Sequence, residues 1–258
     1  MDNRQGCCMI KWIFFDVGNV ILNDDPLMAF FYHEIYKIIQ ANGNQVTLDQ
    51  VLATREHFVV NARSGRPYAD VALAYLTRDV WSRREPIIRD LLAKNWQTLC
   101  PLIPGIVPVI ENLARKFNLG IIANQPREAG PVLDKLGLLK YFKVHGISQS
   151  VGLSKPDPKL YEWAMDEANC GQGEGIMIGD RIDNDIIPAK SVGLKTLWLR
   201  LPLALKNYKP TTDFELKYFA ALSRASATML PPLNEAGVPH AEAEDFDSIL
   251  KEIGRLSQ

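Results

Sequence analysis

The 258-residue chain has no apolar run long enough to cross a bilayer as a helix. It also lacks a dominant charge. Its 29 Lys and Arg meet 30 Asp and Glu, and a net charge of -1 gives no general attraction for nucleic acid or an anionic membrane. Cysteine is scarce. Cys7, Cys8, Cys100 and Cys170 form no CxxC pair and accompany no histidine cluster. That argues against a zinc site and suits a reduced, cytoplasmic setting, with Cys7 and Cys8 expected to pack. The opening MDNRQGCCMIK has no signal-peptide layout, because Lys11 cuts its short apolar run. Repeats and low-complexity tracts are absent. What is present is an ordinary globular composition, 47% hydrophobic and 23% charged, at a length that suits one large domain or a core domain carrying a smaller insert.

The pattern along the chain divides it. KWIFF, Lys11 to Phe15, is a continuous apolar run that ends on Asp16, as expected of a strand buried on both faces. From Pro26 to Cys100 the apolar residues recur at helical spacing, as in PLMAFFYHEIYKIIQ and PYADVALAYLTRDVW, with no central strand. Trp81, Trp96 and Trp163 on such faces read as core. After Pro104 the rhythm changes to alternating helices and strands. LGIIA, KVHGIS, GIMIGD and LKTLWL read as strands, separated by helical stretches. Such alternation predicts an α/β fold, a Rossmann-like parallel sheet with helices on both faces and an inserted α-helical domain. The expected division is 1–23 with 104–258 for the α/β core and 24–103 for the insert. In the tail, FELKYFAALSRASATML and DFDSILKEIGRL read as helices and PPLNEAGVPHAEAE as loop.

Ligands of open parallel sheets sit at the carboxyl ends of strands. Asp16, the turn Ala123–Asn124–Gln125 and Asp180 all fall at such ends. Lys155, in GLSKPDP, and the aspartates of GDRIDND complete a set of polar groups. Carboxylates gathered in one crevice repel unless a cation neutralises them, and hard oxygen ligands suit Mg2+. A lysine beside them offsets the charge of a phosphate, and a carboxylate can itself attack phosphorus to form an aspartyl-phosphate. Asp183 reads as an N-cap of the NDIIPAK helix. Asp185 reads equally as a ligand or as a first-turn acid favoured by the helix dipole.

In order and context these motifs resemble the haloacid dehalogenase-like hydrolase superfamily, from about Trp12 to Leu199. SKPDPKLY together with IMIGDRIDNDIIPAKSVGLKT is the specific part of the match. The resemblance makes the helical stretch an inserted cap domain. It implies that Asp16 attacks phosphorus and that Asp16 and Asp180 hold magnesium through their side chains. It implies the Gly18 carbonyl as a third protein ligand, and Asp185 as support for the metal, directly or through water. Lys155 would hold both nucleophile and phosphate, and the backbone N–H of Asn124 would face the phosphate. The implied partner is a small phosphorylated metabolite, a sugar phosphate among the candidates.

Two positions depart from the family pattern. Most of its phosphatases carry a second aspartate two residues after the nucleophile, as the acid and base of the reaction; here that residue is Gly18. The second strand usually ends in a phosphate-binding Ser or Thr; here it ends in Ala123. Members reading D-x-G-N-V, as this chain does, include sugar-1-phosphatase-like ones, whose anomeric phosphate leaves with less need of an acid. Two alternatives stand beside phosphate hydrolysis. One is a catalytically weak relative that binds a phosphorylated ligand or a partner protein, consistent with Gly18 and Ala123. The other is a 2-haloacid dehalogenase, which Asp180 and the absence of a tyrosine at position 18 disfavour.

Overall fold

The protein is described by a computed structural model over residues 9–258, so Cys7 and Cys8 lie outside the described residues. Six strands make one sheet: β1 (Trp12–Phe15), β2 (Asn118–Ala123), β3 (Phe142–Ile147), β4 (Gly175–Gly179), β5 (Lys195–Leu199) and β6 (Ala241–Ala243). Their order is β3-β2-β1-β4-β5-β6 and every pairing is parallel. The order reverses direction at β1. In such a sheet the crevice beyond the carboxyl ends of the strands on either side of the reversal, here β1 and β4, is where ligands bind. Every residue of β1 and β4 is buried, which explains their continuous rather than alternating apolarity. Close packing sets the small residues. A side chain at Gly120 would meet the ring of Phe14 at 2.7 Å.

The helices are α1 (Asp25–Ala41), α2 (Leu48–Val60), α3 (Pro67–Tyr75), α4 (Arg78–Leu99), α5 (Ile106–Ala114), α6 (Ala129–Lys135), α7 (Ser148–Val151), α8 (Lys159–Ala168), α9 (Ile187–Ser191), α10 (Asp213–Arg224) and α11 (Phe246–Leu256). The chain forms two compact units. The α/β unit comprises the segments up to Leu22, Ile103–Leu205 and Pro231–Gln258. Within it α8 packs on β2 and β3, α5 on β2, and α11 on β5 and β6. Trp12, Phe14, Leu160, Tyr161, Met165 and Met177 share one core cluster. Cys170 is a buried free thiol in the same cluster. The tail adds a sixth strand where the sequence reads as loop. Ala241–Ala243 is only three residues long, too short for a periodic signal, and it is fixed from outside. His240 donates its N–H to the Thr196 carbonyl at 3.1 Å, and its ring Nδ1 accepts from the Thr196 N–H at 3.1 Å.

The helical unit comprises Asn23–Leu102 and, contrary to the expected boundary, Lys206–Leu230. The expected core span 104–258 is therefore interrupted, and α10 belongs with α1 to α4. The reason is the apolar face of α10. Phe214, Tyr218, Ala221 and Leu222 are buried, and α1 and α2 supply their partners. Phe214 stacks on His33 at 4.4 Å, and Tyr218 lies 5.6 Å from Tyr32. Arg55 of α2 is buried between these two tyrosine rings, 5.7 Å from Tyr32 and 5.3 Å from Tyr218, and donates to the Ala225 carbonyl at the end of α10 at 2.8 Å. Two aromatic faces and the negative end of a helix thus compensate its charge. Trp81 and Trp96 are buried as expected. No described helix is long and apolar enough to cross a membrane.

A buried ion pair ties the second segment of this unit to the first. Lys206 Nζ lies 2.7 Å from Asp25 Oδ2, with both side chains under a tenth exposed. Removing one partner leaves an uncompensated buried charge. Lys206→Met is expected to cost about 3–5 kcal/mol in denaturant unfolding, and Asp25→Leu with Lys206→Met together to recover most of that loss. A double variant no better than the single one would show that the pair is not what holds this segment.

Candidate active site

Asp16 is the residue at which β1 ends. Its N–H donates to the Ile178 carbonyl of the neighbouring β4 at 2.9 Å, so the two strands remain paired up to the point where the carboxylate emerges. β1 and β4 run in register, Phe15 opposite Ile178, and Asp180 follows Gly179 at the end of β4. The Trp198 indole N–H donates to the Asp180 carbonyl at 2.9 Å and fixes that strand end from β5. Two aspartates on adjacent strands are thereby delivered to the same edge of the sheet.

Asp185 arrives differently. The segment Ile182–Ile186 is a wide, π-helical turn, a form that recurs at functional sites. It folds Asp185 back so that its Oδ2 accepts from the Arg181 N–H at 2.9 Å. Room for it exists because residue 179 is glycine. A Cβ there would lie 2.3 Å from both Cβ and Cγ of Asp185. Tyr161 holds the same turn, donating its hydroxyl to the Asn184 carbonyl at 2.6 Å. Asp183 does not cap the helix as expected. Its exposed carboxylate pairs with the Arg181 guanidinium, Nε to Oδ1 at 2.9 Å, because the π-turn starts on Arg181 and leaves position 183 inside it.

Lys155 joins the pieces. Its Nζ donates to Asp16 Oδ1 at 2.8 Å and to Asp185 Oδ1 at 2.6 Å, and its side chain is 2% exposed. Asn124 presents it. The Asn124 amide donates to the Lys155 carbonyl at 2.9 Å and accepts from the Lys155 N–H at 2.8 Å. The sequence reading gave Asn124 a backbone role only. Its side chain clamps a loop 31 residues away, a partnership that spacing cannot reveal. Ala123, the last residue of β2, is fully buried opposite Ile147 of β3. Gly18 stands in the tight turn after Asp16, where the Val17 carbonyl accepts from both Ile21 and Leu22 at 2.9 Å.

Oxygens of Asp16, Asp180 and Asp185 all lie within 4.8 Å of one another. Three buried carboxylates and one ammonium leave the cluster net negative. Burial, with Asp185 adding to it, raises the Asp16 carboxyl to about 7 against the pull of Lys155. A hard divalent cation held by oxygen ligands matches both the geometry and this excess charge. For Lys155, burial alone would favour the neutral amine; the charges of Asp16 and Asp185 outweigh it and hold the ammonium above its ordinary range.

The model of haloacid dehalogenase-like hydrolases matches residues 10–193. The chain belongs to that family and is an enzyme of the hydrolase class. It is 27% identical to glyceraldehyde 3-phosphate phosphatase of Pyrococcus furiosus over 219 residues, 80% of this chain and 90% of that one. It is 24% identical to the pyrimidine 5'-nucleotidase YjjG of Escherichia coli over 194 residues, 73% and 85% of the two chains. Among solved structures, a predicted phosphoglycolate phosphatase from Haemophilus somnus shares the fold at a TM-score of 0.65 and 19% identity, covering 95% of this chain and 98% of the other.

Two outcomes follow from the geometry. Gly179→Ala should displace Asp185, lower activity by roughly a hundred-fold and weaken divalent-cation binding, as for other groups that orient ligands, while circular dichroism stays native. With divalent cations chelated, a carboxyl whose folded pKa is raised stabilises the protein most below the unfolded value of 3.8, and this contribution is lost as pH rises through about 7. Thermal melts from pH 5 to 8 in chelator should therefore fall with pH more steeply for the native chain than for Asp16→Asn. Equal slopes would show that Asp16 is not the titrating group.

Proposed function

We propose that the protein is a magnesium-dependent phosphohydrolase of a small phosphorylated metabolite, acting through an aspartyl-phosphate on Asp16. The observation that carries this reading is the position of Asp16. It sits at the strand-order reversal, held by Lys155, and shares a cation-sized cluster with Asp180 and Asp185. Such a carboxylate is aimed by its strand and kept from rotating by a charged hydrogen bond, as in-line attack on phosphorus requires. The names of the relatives support the substrate class, since a glyceraldehyde 3-phosphate phosphatase and a pyrimidine 5'-nucleotidase both point to small phosphorylated compounds.

In this reading Asp16 and Asp180 hold magnesium with their side chains and Gly18 with its carbonyl, while Asp185 supports the cation. When bound, the cation supplies positive charge against the three carboxylates and the phosphate oxygens. Lys155 binds and orients the phosphate while it fixes Asp16. The Asn124 side chain keeps Lys155 in place, and its backbone N–H, with that of Ala123, faces the phosphate. The helical unit corresponds to the inserted cap domain that the family resemblance implies. The setting is cytoplasmic, with neither nucleic acid nor membrane as a partner.

The test is phosphate release from an activated aryl phosphate and a panel of sugar phosphates, with and without magnesium. The native chain should turn over only with the cation, and Asp16→Asn should lose about ten-thousand-fold or more. Turnover retained in Asp16→Asn would remove the nucleophile from the proposal. Halide release from haloacids without metal would replace phosphate chemistry altogether.

A further inference from the structure

Asp185 is the member of the carboxylate cluster that no strand fixes. Asp16 and Asp180 directly follow β1 and β4, whereas Asp185 is carried by the π-turn Ile182–Ile186. Its position therefore depends on where the backbone of that turn lies. The turn leads straight into α9, whose first turn contains Pro188. In an α-helix the carbonyl of residue 184 accepts from the N–H of residue 188. Proline has no N–H, so this chain cannot make that bond. The Tyr161 hydroxyl donates to the Asn184 carbonyl instead, at 2.6 Å.

Tyr161 is well held for this task. It is fully buried, and its ring packs in the core cluster with Leu160, Met177 and Ala189. Its own N–H donates to the Pro158 carbonyl at 2.9 Å, in the first turn of α8. A hydroxyl has one proton to donate, and here it goes to the backbone rather than to a carboxylate. The segment that carries Tyr161 also carries Lys155, whose Nζ donates to Asp185 Oδ1 at 2.6 Å. Two adjacent residues of the π-turn, Asn184 and Asp185, are thus gripped by two donors from one segment.

We infer that Tyr161 is a positioning residue: its hydroxyl takes the place of the backbone donor that Pro188 lacks, and so holds Asp185 where the three carboxylates can share one cation. The inference rests on the reading of Asp16, Asp180 and Asp185 as a cation site. Without the hydroxyl the turn is free to shift, and Asp185 moves relative to two carboxylates that the sheet keeps in place. Lys155 still holds Asp16, so the loss falls on cation affinity before it falls on the attacking group. Groups that orient metal ligands from behind are typically worth about ten- to a hundred-fold in affinity.

Manganese(II) titrations, followed by the paramagnetic resonance of the free ion, test this without turnover. Tyr161→Phe keeps the ring in the core and removes only the hydroxyl. Its Kd for manganese should rise about ten- to a hundred-fold. The magnesium concentration that gives half-maximal phosphate release should rise by the same factor, while the rate at saturating magnesium falls far less. Pro188→Ala gives residue 188 an N–H, and in that background Tyr161→Phe should cost less than about three-fold. Such rescue separates a held turn from a general loss of packing, which Pro188→Ala would not repair. The single-variant titration stands by itself if Pro188→Ala fails to fold. Native manganese affinity in a folded Tyr161→Phe, or an equal loss with and without Pro188, would overturn the inference and leave the cation site intact. A native chain that binds no manganese would overturn both.

Discussion

The double hydrogen bond from Lys155 to Asp16 and Asp185 is the interaction on which the rest of the site depends. Two carboxylates this close and this buried are stable as ions only with a positive group between them. The ammonium is itself kept charged by the pair it joins. Around it, each supporting feature has the same task. The register of β1 and β4 brings the strand ends level, the π-turn returns Asp185 to the cluster, and Asn124 fixes the lysine loop through its backbone.

Because the carboxylates outnumber the ammonium, the cluster still carries excess negative charge. Burial, with Asp185 adding to it, raises the Asp16 carboxyl, and the imbalance accompanies the meeting of three oxygens at cation spacing. It also separates this site from an ordinary buried salt bridge, where charge is balanced within the pair. Lys206 and Asp25 in the helical unit are such a balanced pair, and their role is to hold chain segments together.

The helical unit shows how a boundary read from one continuous stretch of sequence can be incomplete. The first segment, Asn23–Leu102, was legible as helical because apolar residues recur at helical spacing with no strand between them. The second, Lys206–Leu230, carries a helix of the same kind, but periodicity does not say which neighbours its apolar face will meet. Arg55 and Tyr32 receive it, more than 150 residues earlier in the chain. Gly18 is the opposite case. Its chemical consequence, the lack of a proton-transferring side chain, follows from residue identity alone.

The sequence by itself determined the parallel α/β class, the helical insert and the identity of Asp16, Lys155, Asp180 and Asp185. Strand ends, helix periods and charged residue types are local properties written in adjacent positions. Tertiary structure alone decided that Asp185 joins Lys155 rather than merely favouring a helix start, and that Asp183 turns away to Arg181. It also decided that Asn124 acts through its side chain, that three residues near the end complete the sheet, and that α10 leaves the α/β unit for the helical one. Each of these is a choice among partners far apart in the chain. The physical reason is burial. Which polar group meets which, once water is excluded, depends on packing that no single stretch of sequence contains.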